Sequence, residues 1–241
     1  MHILKKIFST ATGYWIHKTS RLPIGADLYI NIHRLINYGA INTMFDVGAN
    51  IGQTWEWFRD NEPGAKIYCF EPVSETFEIL KRKTEKDKNC IVEKLAFGEV
   101  PAKKTIKLFN EHSPLNSLRD ELMNSDSNSK EEVIKIETLD NYCLRNSITK
   151  IDFLKIDTEG YEMNVLEGAK NMLQNAGVSF IYCEIGILKK NIRNTNFAEL
   201  TEWLAEKNYH FFGLYQLVSS GWKEGDYFGN ALYVHKDIYN T

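Results

Sequence analysis

Long apolar runs are missing from this chain: no stretch approaches the roughly 20 residues that a membrane-crossing helix needs. The N-terminus lacks the continuous apolar core and small-residue cleavage site of a secretory signal. A strong charge of one sign is absent too. Lys and Arg number 29 against 32 Asp and Glu, a formal charge of −3, so no general field draws in nucleic-acid phosphates. Cysteine is scarce. Cys69, Cys90, Cys143 and Cys183 show no C-x-x-C spacing, and Cys69 and Cys183 lie in apolar, strand-like runs. They read as reduced core residues, which suits a reducing, cytoplasmic compartment. The six histidines include no pair at metal-binding helical spacing. What is present is ordinary for a globular protein, with 43% hydrophobic and 25% charged residues. At 241 residues the chain can bury one sizeable core.

The organising stretch is Met44-Phe45-Asp46-Val47-Gly48-Ala49-Asn50-Ile51-Gly52. An apolar run from Ile41 reads as a buried strand that stops at Gly48, and a helical pattern opens near Gln53. Gly48 and Gly52 therefore fall in a strand-to-helix turn, where a missing Cβ admits unusual backbone angles and close ligand approach. Asp46 falls at the carboxyl end of the strand, the edge where open α/β sheets bind ligands. An acid there suits amines, hydroxyls or positive charge rather than phosphate. A second strand, Lys66 to Phe70, ends at Glu71-Pro72, about 20 residues beyond Gly52. At that distance an acid meets ribose hydroxyls in dinucleotide-binding folds. The dinucleotide fingerprint G-x-G-x-x-G is nevertheless broken, because Asn50 stands where its second glycine belongs. A nucleoside without a pyrophosphate fits better, and S-adenosylmethionine is such a ligand.

Four motifs occur in order: Phe45-Asp-Val-Gly-Ala-Asn-Ile-Gly-Gln53, Cys69-Phe-Glu-Pro72, Thr138-Leu-Asp140 and Phe153-Leu-Lys-Ile-Asp-Thr-Glu-Gly-Tyr-Glu162. Together they resemble the FkbM-like family of S-adenosylmethionine-dependent methyltransferases, from about Leu22 to His235. The resemblance implies a Rossmann-like class I methyltransferase sheet, mostly parallel, with a C-terminal antiparallel hairpin and helices on both faces. It implies S-adenosyl-L-methionine as cofactor and a hydroxyl of a sugar, glycan or secondary metabolite as acceptor. It also places Asn50 and Gln53 in the cofactor pocket with Asp46, Gly48, Gly52 and Glu71. Ala96 and Phe97 fall where related enzymes contact adenine, and a plain core reading of both residues stands beside that one. Base methylation of nucleic acid is disfavoured: the five prolines are nowhere adjacent, so the Pro-Pro-aromatic signature of amino-group base methylases is absent.

Taken in order, residues 1–38 read as an N-terminal helical extension and 39–241 as the methyltransferase domain. In residues 1–18, Ile3, Leu4, Ile7, Phe8, Ala11, Tyr14 and Trp15 recur at helical spacing beside Lys5, Lys6 and Lys18. This is either a helix packed on the domain or a basic helix making peripheral contact with a membrane surface. Asp27 to Tyr38 reads as a further helix. Strands over 41–47, 65–70 and 90–97 alternate with helices over 53–60 and 74–86, which implies a parallel sheet with right-handed crossovers. An insertion at about 98–137 breaks the rhythm. Lys104 to Phe109 and Val133 to Glu137 alternate like edge strands, and Ser113 to Lys130 reads as a loop, either a lid or a plain insert. Then come helix 138–146, strand 151–156, helix 163–175, strand 178–184, helix 196–207 and closing strands over 209–217 and 230–236.

Lys155, Asp157 and Glu159 are the catalytic candidates. Lys155 and Asp157 are two residues apart on a strand and share a face. A buried ammonium needs a partner, so Lys155 is expected to pair with Asp157 or another nearby acid. Asp157, at the carboxyl edge, can take or orient the proton of an acceptor hydroxyl; His112 on the long loop is the alternative base. Glu162 reads as a helix-start acid. Asp157, Glu159 and Glu184 are hard oxygen donors suited to magnesium or calcium, but the run lacks the calcium-loop pattern, and no metal is assigned. Two other classes stay open: a nicotinamide-linked oxidoreductase, which the Asn50 position disfavours, and a catalytically silent nucleoside-binding module. Oligomeric state leaves no mark in the sequence.

Overall fold

The structure is a computed structural model that describes residues 10–13, 18–37, 39–108, 130–189, 191, 193–221 and 226–240. A short 3-10 turn, Thr19–Arg21, precedes helix α1 (Leu28–Leu35), which Asp27 caps by accepting the Ile30 N–H at 2.8 Å. Then follow β1 (Thr43–Val47), α2 (Gln53–Asn61), β2 (Lys66–Phe70), α3 (Ser74–Thr84), β3 (Cys90–Glu93) and β4 (Ala96–Phe97). The next elements are β5 (Ala102–Leu108), β6 (Lys130–Glu137), α4 (Leu139–Arg145) and β7 (Ile151–Ile156). Two short helices, α5 (Glu162–Glu167) and α6 (Lys170–Gln174), lead to β8 (Val178–Gly186). The chain closes with α7 (Phe197–Ala205), β9 (Tyr209–Gly221), β10 (Asp226–His235) and a 3-10 segment, Lys236–Asn240.

Seven strands form the main sheet in the order β3-β2-β1-β7-β8-β10-β9. The pairs among β3, β2, β1, β7 and β8 are parallel, and β10 runs antiparallel to both β8 and β9. Strand order reverses between β1 and β7, so their carboxyl ends part and open a crevice. Side chains alternate between two buried layers as the strand period of two requires. Phe45, Val47, Tyr68 and Phe70 enter one core with Tyr142 and Leu139, while Met44, Ile67, Phe153 and Phe180 enter the other with Phe58 and Ile32. Asp46 and Lys155 belong by the same alternation to the second layer, and the β1–β7 register sets them directly opposite each other.

Three expectations change. The single strand over 90–97 is two strands, because the Leu95 N–H turns back to the Glu93 carbonyl at 3.0 Å. Ala96 and Phe97 then pair with Ile136 and Glu137 in a separate sheet of order β4-β6-β5. The single helix over 163–175 is broken at Gly168, where a Cβ would overlap the Gly98 carbonyl. The last two strands are longer than the apolar pattern suggested, since their outer ends alternate less cleanly than their buried ends. Most of the residue 1–18 pattern, and Ser113 to Ser129 with His112, lie outside the described residues, while Lys130, read as the loop's end, opens β6. Among the described residues no helix is long and apolar enough to cross a membrane. The four cysteines are free thiols.

Candidate active site

The β1–α2 turn is shaped by backbone packing. Gly48 and Gly52 both have positive φ, at 79° and 83°, in the region that only glycine occupies cheaply. A Cβ at Gly48 would overlap the Asp157 carbonyl, and one at Gly52 would come within 2.9 Å of Leu80 Cδ1. The bare faces of these glycines are therefore filled by protein and let the turn press against β7 and α3. Asn50 (φ 49°) completes the turn, a residue type that tolerates the left-handed region. Its N–H donates to Glu71 Oε2 at 3.0 Å, and its buried Oδ1 has no hydrogen-bond partner among the described residues.

A cavity of about 360 Å3 lies against this turn at the carboxyl edge of the sheet, within the roughly 300–1,000 Å3 of small-molecule sites. One end is apolar, with Val73, Ala96, Phe97, Ile106 and Ile134. The other is polar, with Asn50, Gln53, Glu71, Lys155, Asp157 and Glu159, and Gly48 lies in the same wall. The structure thus brings nine of the eleven residues singled out in the sequence to one cavity. Asp46 and Gly52 are not in its lining; both are buried behind it. Ile106 and Ile134, from β5 and β6, were expected only as edge-strand residues, because nothing in a short alternating run tells which surface it covers.

Asp46 is completely buried, and its partner is Lys155, whose Nζ lies 3.2 Å from Asp46 Oδ1 and 3.4 Å from Asp157 Oδ2. Lys155 Nζ also donates to the Gly48 carbonyl at 3.1 Å. Burial opposes its charge, but the two carboxylates outweigh it and raise the Lys155 pKa above its ordinary value. Asp46 is pushed upward by burial, with Lys155 pulling the other way. Glu71 has one carboxylate oxygen on the Asn50 N–H and the other on the Val73 N–H at 2.9 Å. Burial still pushes its carboxyl up to about 7 against those donors.

The turn after β7 holds Asp157, Thr158 and Glu159. It is pinned by Glu162, whose Oε1 accepts from the Thr158 N–H, the Thr158 hydroxyl and the Gly160 N–H at 2.9, 3.0 and 3.0 Å. Thr195 donates its hydroxyl to Glu162 Oε2 at 2.6 Å. Glu162 therefore organises the turn instead of merely favouring a helix end. Its partner Thr195 carried no local signal in the sequence. Asp157, Glu159 and Glu184 also converge: one oxygen from each lies within 4.8 Å of the others. Burial and then the Asp157 charge push Glu159 up to about 7, and burial followed by the charges of Asp157, Glu159 and Glu162 pushes Glu184 up to about 8. Asn194 donates to Glu184 at 2.8 Å and Arg193 pairs with Glu159 at 3.5 Å.

The lining fits a nucleoside that carries a positive charge. Apolar walls stand at one end, and the other holds the Asn50 amide oxygen, which has no hydrogen-bond partner among the described residues, with Glu71 and the further carboxylates of Asp157 and Glu159. Strand order, the closing antiparallel hairpin and the place of the cavity define a class I methyltransferase fold. The chain belongs to the FkbM methyltransferase family: the family's model, described as the methyltransferase FkbM domain, matches residues 46–211. Membership supports S-adenosylmethionine as the cofactor. A hexuronic acid methyltransferase, AglP of Haloferax volcanii, is 24% identical over 151 residues, covering 63% of this chain. The chain spans 59% of that relative's length. Among solved structures, TrmK of M. capricolum with S-adenosylhomocysteine aligns with 86% of this chain and 68% of its own at 14% identity and a TM-score of 0.46. A TehB-like methyltransferase from Corynebacterium glutamicum aligns with 98% and 96% at 12% identity and a TM-score of 0.40.

Proposed function

We propose that this chain is an S-adenosylmethionine-dependent O-methyltransferase acting on a hydroxyl of a sugar, glycan or comparable metabolite. The observation that carries the reading is the meeting of a small-molecule-sized cavity, part apolar and part acidic, with Lys155 and Asp157 at the point where the sheet order reverses. The sugar acceptor is supported by the hexuronic acid named for the Haloferax relative.

The bound cofactor supplies an activated methyl group, so the chain's work is to align and to handle a proton. Glu71 and Asn50 would hold the ribose, with Ala96, Phe97 and Val73 around the base. Gln53 and Glu159 would flank the charged end. Asp46 acts from behind the wall by holding Lys155, and Lys155 in turn fixes the Asp157 carboxylate. Asp157 accepts the proton of the acceptor hydroxyl as that oxygen gains the methyl carbon.

Calorimetric titration of the protein with S-adenosylhomocysteine and, separately, NAD tests the cofactor. The reading expects binding of the first and none of the second; the reverse would favour the nicotinamide-linked oxidoreductase reading instead. Incubation with labelled methyl donor and a cell extract then asks whether label enters a glycan or hydroxyl metabolite. Binding without any transfer would favour a silent module.

A further inference from the structure

A second cavity, of about 530 Å3, opens on the other side of Lys155 and Asp157 and shares Gln53 and Thr54 with the first. It lies over the sheet layer into which Phe153 and Lys155 point. We propose that this cavity is the acceptor subsite and that it takes an uncharged pyranose, a neutral hexose or deoxyhexose unit, in preference to a uronate. The proposal rests on the methyltransferase reading above and deepens it.

Three observations carry the proposal. The first is aromatic. Trp57 of α2 is 36% exposed, and Tyr182 and Tyr215 stand in the same wall, their rings T-shaped at 5.9 Å. A pyranose has an apolar face of C–H bonds and a rim of hydroxyls. The exposed Trp57 ring, backed by the buried Tyr182 and Tyr215, matches the first, and amides match the second.

The second is a built amide pair. Gln216 sits at φ 51° inside β9, in a stretch where the β9–β10 register shifts between Phe228 and Asn230. Such bulges re-aim a side chain, and a strained non-glycine residue marks a site held by its surroundings. Gly229 faces the bulge: a Cβ there would meet the Tyr215 and Gln216 carbonyls at 2.9 and 3.0 Å. The Gln216 amide oxygen accepts from Asn230 Nδ2 at 3.3 Å and from the Tyr182 hydroxyl at 3.4 Å. Gln216 and Asn230 both line the cavity.

The third is charge. Among the described residues Lys155 is the one cation in the wall, and Asp46 and Asp157 already share it at 3.2 and 3.4 Å. The remaining ionisable wall residues, apart from tyrosines, are the acids Asp27 and Asp157. A carboxylate on the sugar would enter a negative wall in which no described residue offers a further cation.

The test uses the full chain preloaded with S-adenosylhomocysteine, with that loading verified by calorimetry. Methyl glycosides of neutral hexoses and deoxyhexoses, and the matching hexuronates, are titrated against it and followed by tryptophan fluorescence and ligand-observed NMR. The expected result is saturable binding of at least one neutral glycoside, with its uronate several-fold weaker. Trp57→Ala should weaken that binding roughly tenfold, about the loss of one aromatic contact, without changing affinity for S-adenosylhomocysteine. Gln216→Asn, which keeps a residue tolerant of the left-handed region but shortens its reach, should also weaken it. Equal or tighter uronate binding, no binding by any of the panel, or unchanged glycoside affinity in both variants would overturn the proposal. Failure of the wild-type protein to take up S-adenosylhomocysteine would instead overturn the methyltransferase reading beneath it.

Discussion

The two cavities that meet at Lys155 and Asp157 are assembled in opposite ways. The first is drawn mainly from short stretches at or next to strand ends, 47–50, 53–54, 71–73, 95–97 and 157–159. The second collects residues from the segment before α1, from α2 and from β8, β9 and β10. The first is polar at one end, where the carboxylate of Glu71 is buried and that of Glu159 half-buried. The second is aromatic and amide-lined. A site made of local turns can bind a common cofactor in many chains, whereas one made of distant strands can change its ligand without touching those turns. Among the described residues only the Lys155–Asp157 pair, with Gln53 and Thr54, belongs to both.

The largest break in this comparison is expected at the shared ammonium. Lys155→Met leaves Asp46 fully buried without a counter-charge, and breaking a buried pair in this way costs about 3–5 kcal/mol. Urea unfolding of the variant should show that loss. A loss below about 1 kcal/mol, the scale of an exposed pair, would mean that Asp46 is not held by Lys155.

A smaller effect separates the two cavities. Glu71→Ala should weaken S-adenosylhomocysteine binding by about 1.5–3 kcal/mol, the worth of a hydrogen bond to a charged group. Calorimetry on folded protein would check it, and an unchanged affinity would remove Glu71 from the cofactor site.

A third effect is a pH slope that belongs to the first cavity and its acidic rim. Glu71, Glu159 and Glu184 titrate at about 7, 7 and 8 in the folded chain against 4.5 for a free glutamate. The folded state therefore binds more protons than the unfolded one between pH 4.5 and about 8. Stability from these groups is fully present below about pH 4.5 and is lost as pH rises through their folded pKa values. The melting temperature of the cofactor-free protein should fall from pH 5 to pH 8, and Glu184→Gln should flatten the upper part of that fall. A melting temperature that climbs over this range in the wild type would contradict the burial of these carboxyls.

The legibility of the chain follows the same division. Strand β7 could be read at its full extent and β1, β2, α2 and α3 nearly so, because apolar runs there alternate cleanly with helical patterns. Glu71, Asn50 and Asp157 could be placed at strand ends because strand ends are where such sheets open. The 90–97 run misled, since Leu95 reads as a continuing strand residue while its N–H folds back on Glu93. Like Glu71, Asp46 could be placed at a strand end, whereas its pairing with Lys155 follows from the β1–β7 register. Thr195, Tyr182, Gln216 and Asn230 were not legible at all. Their roles arise from long-range packing, and a bulge opposite Gly229 leaves no periodic trace.

The most direct measurement is made on Asp157→Asn, which keeps shape and removes the carboxylate from the boundary of the two cavities. S-adenosylhomocysteine affinity by calorimetry and methyl transfer to a confirmed acceptor are followed in the same preparation. The account predicts unchanged cofactor affinity and a turnover number lower by roughly 10²–10⁴, the usual contribution of a general base. Normal turnover in the folded variant would contradict it.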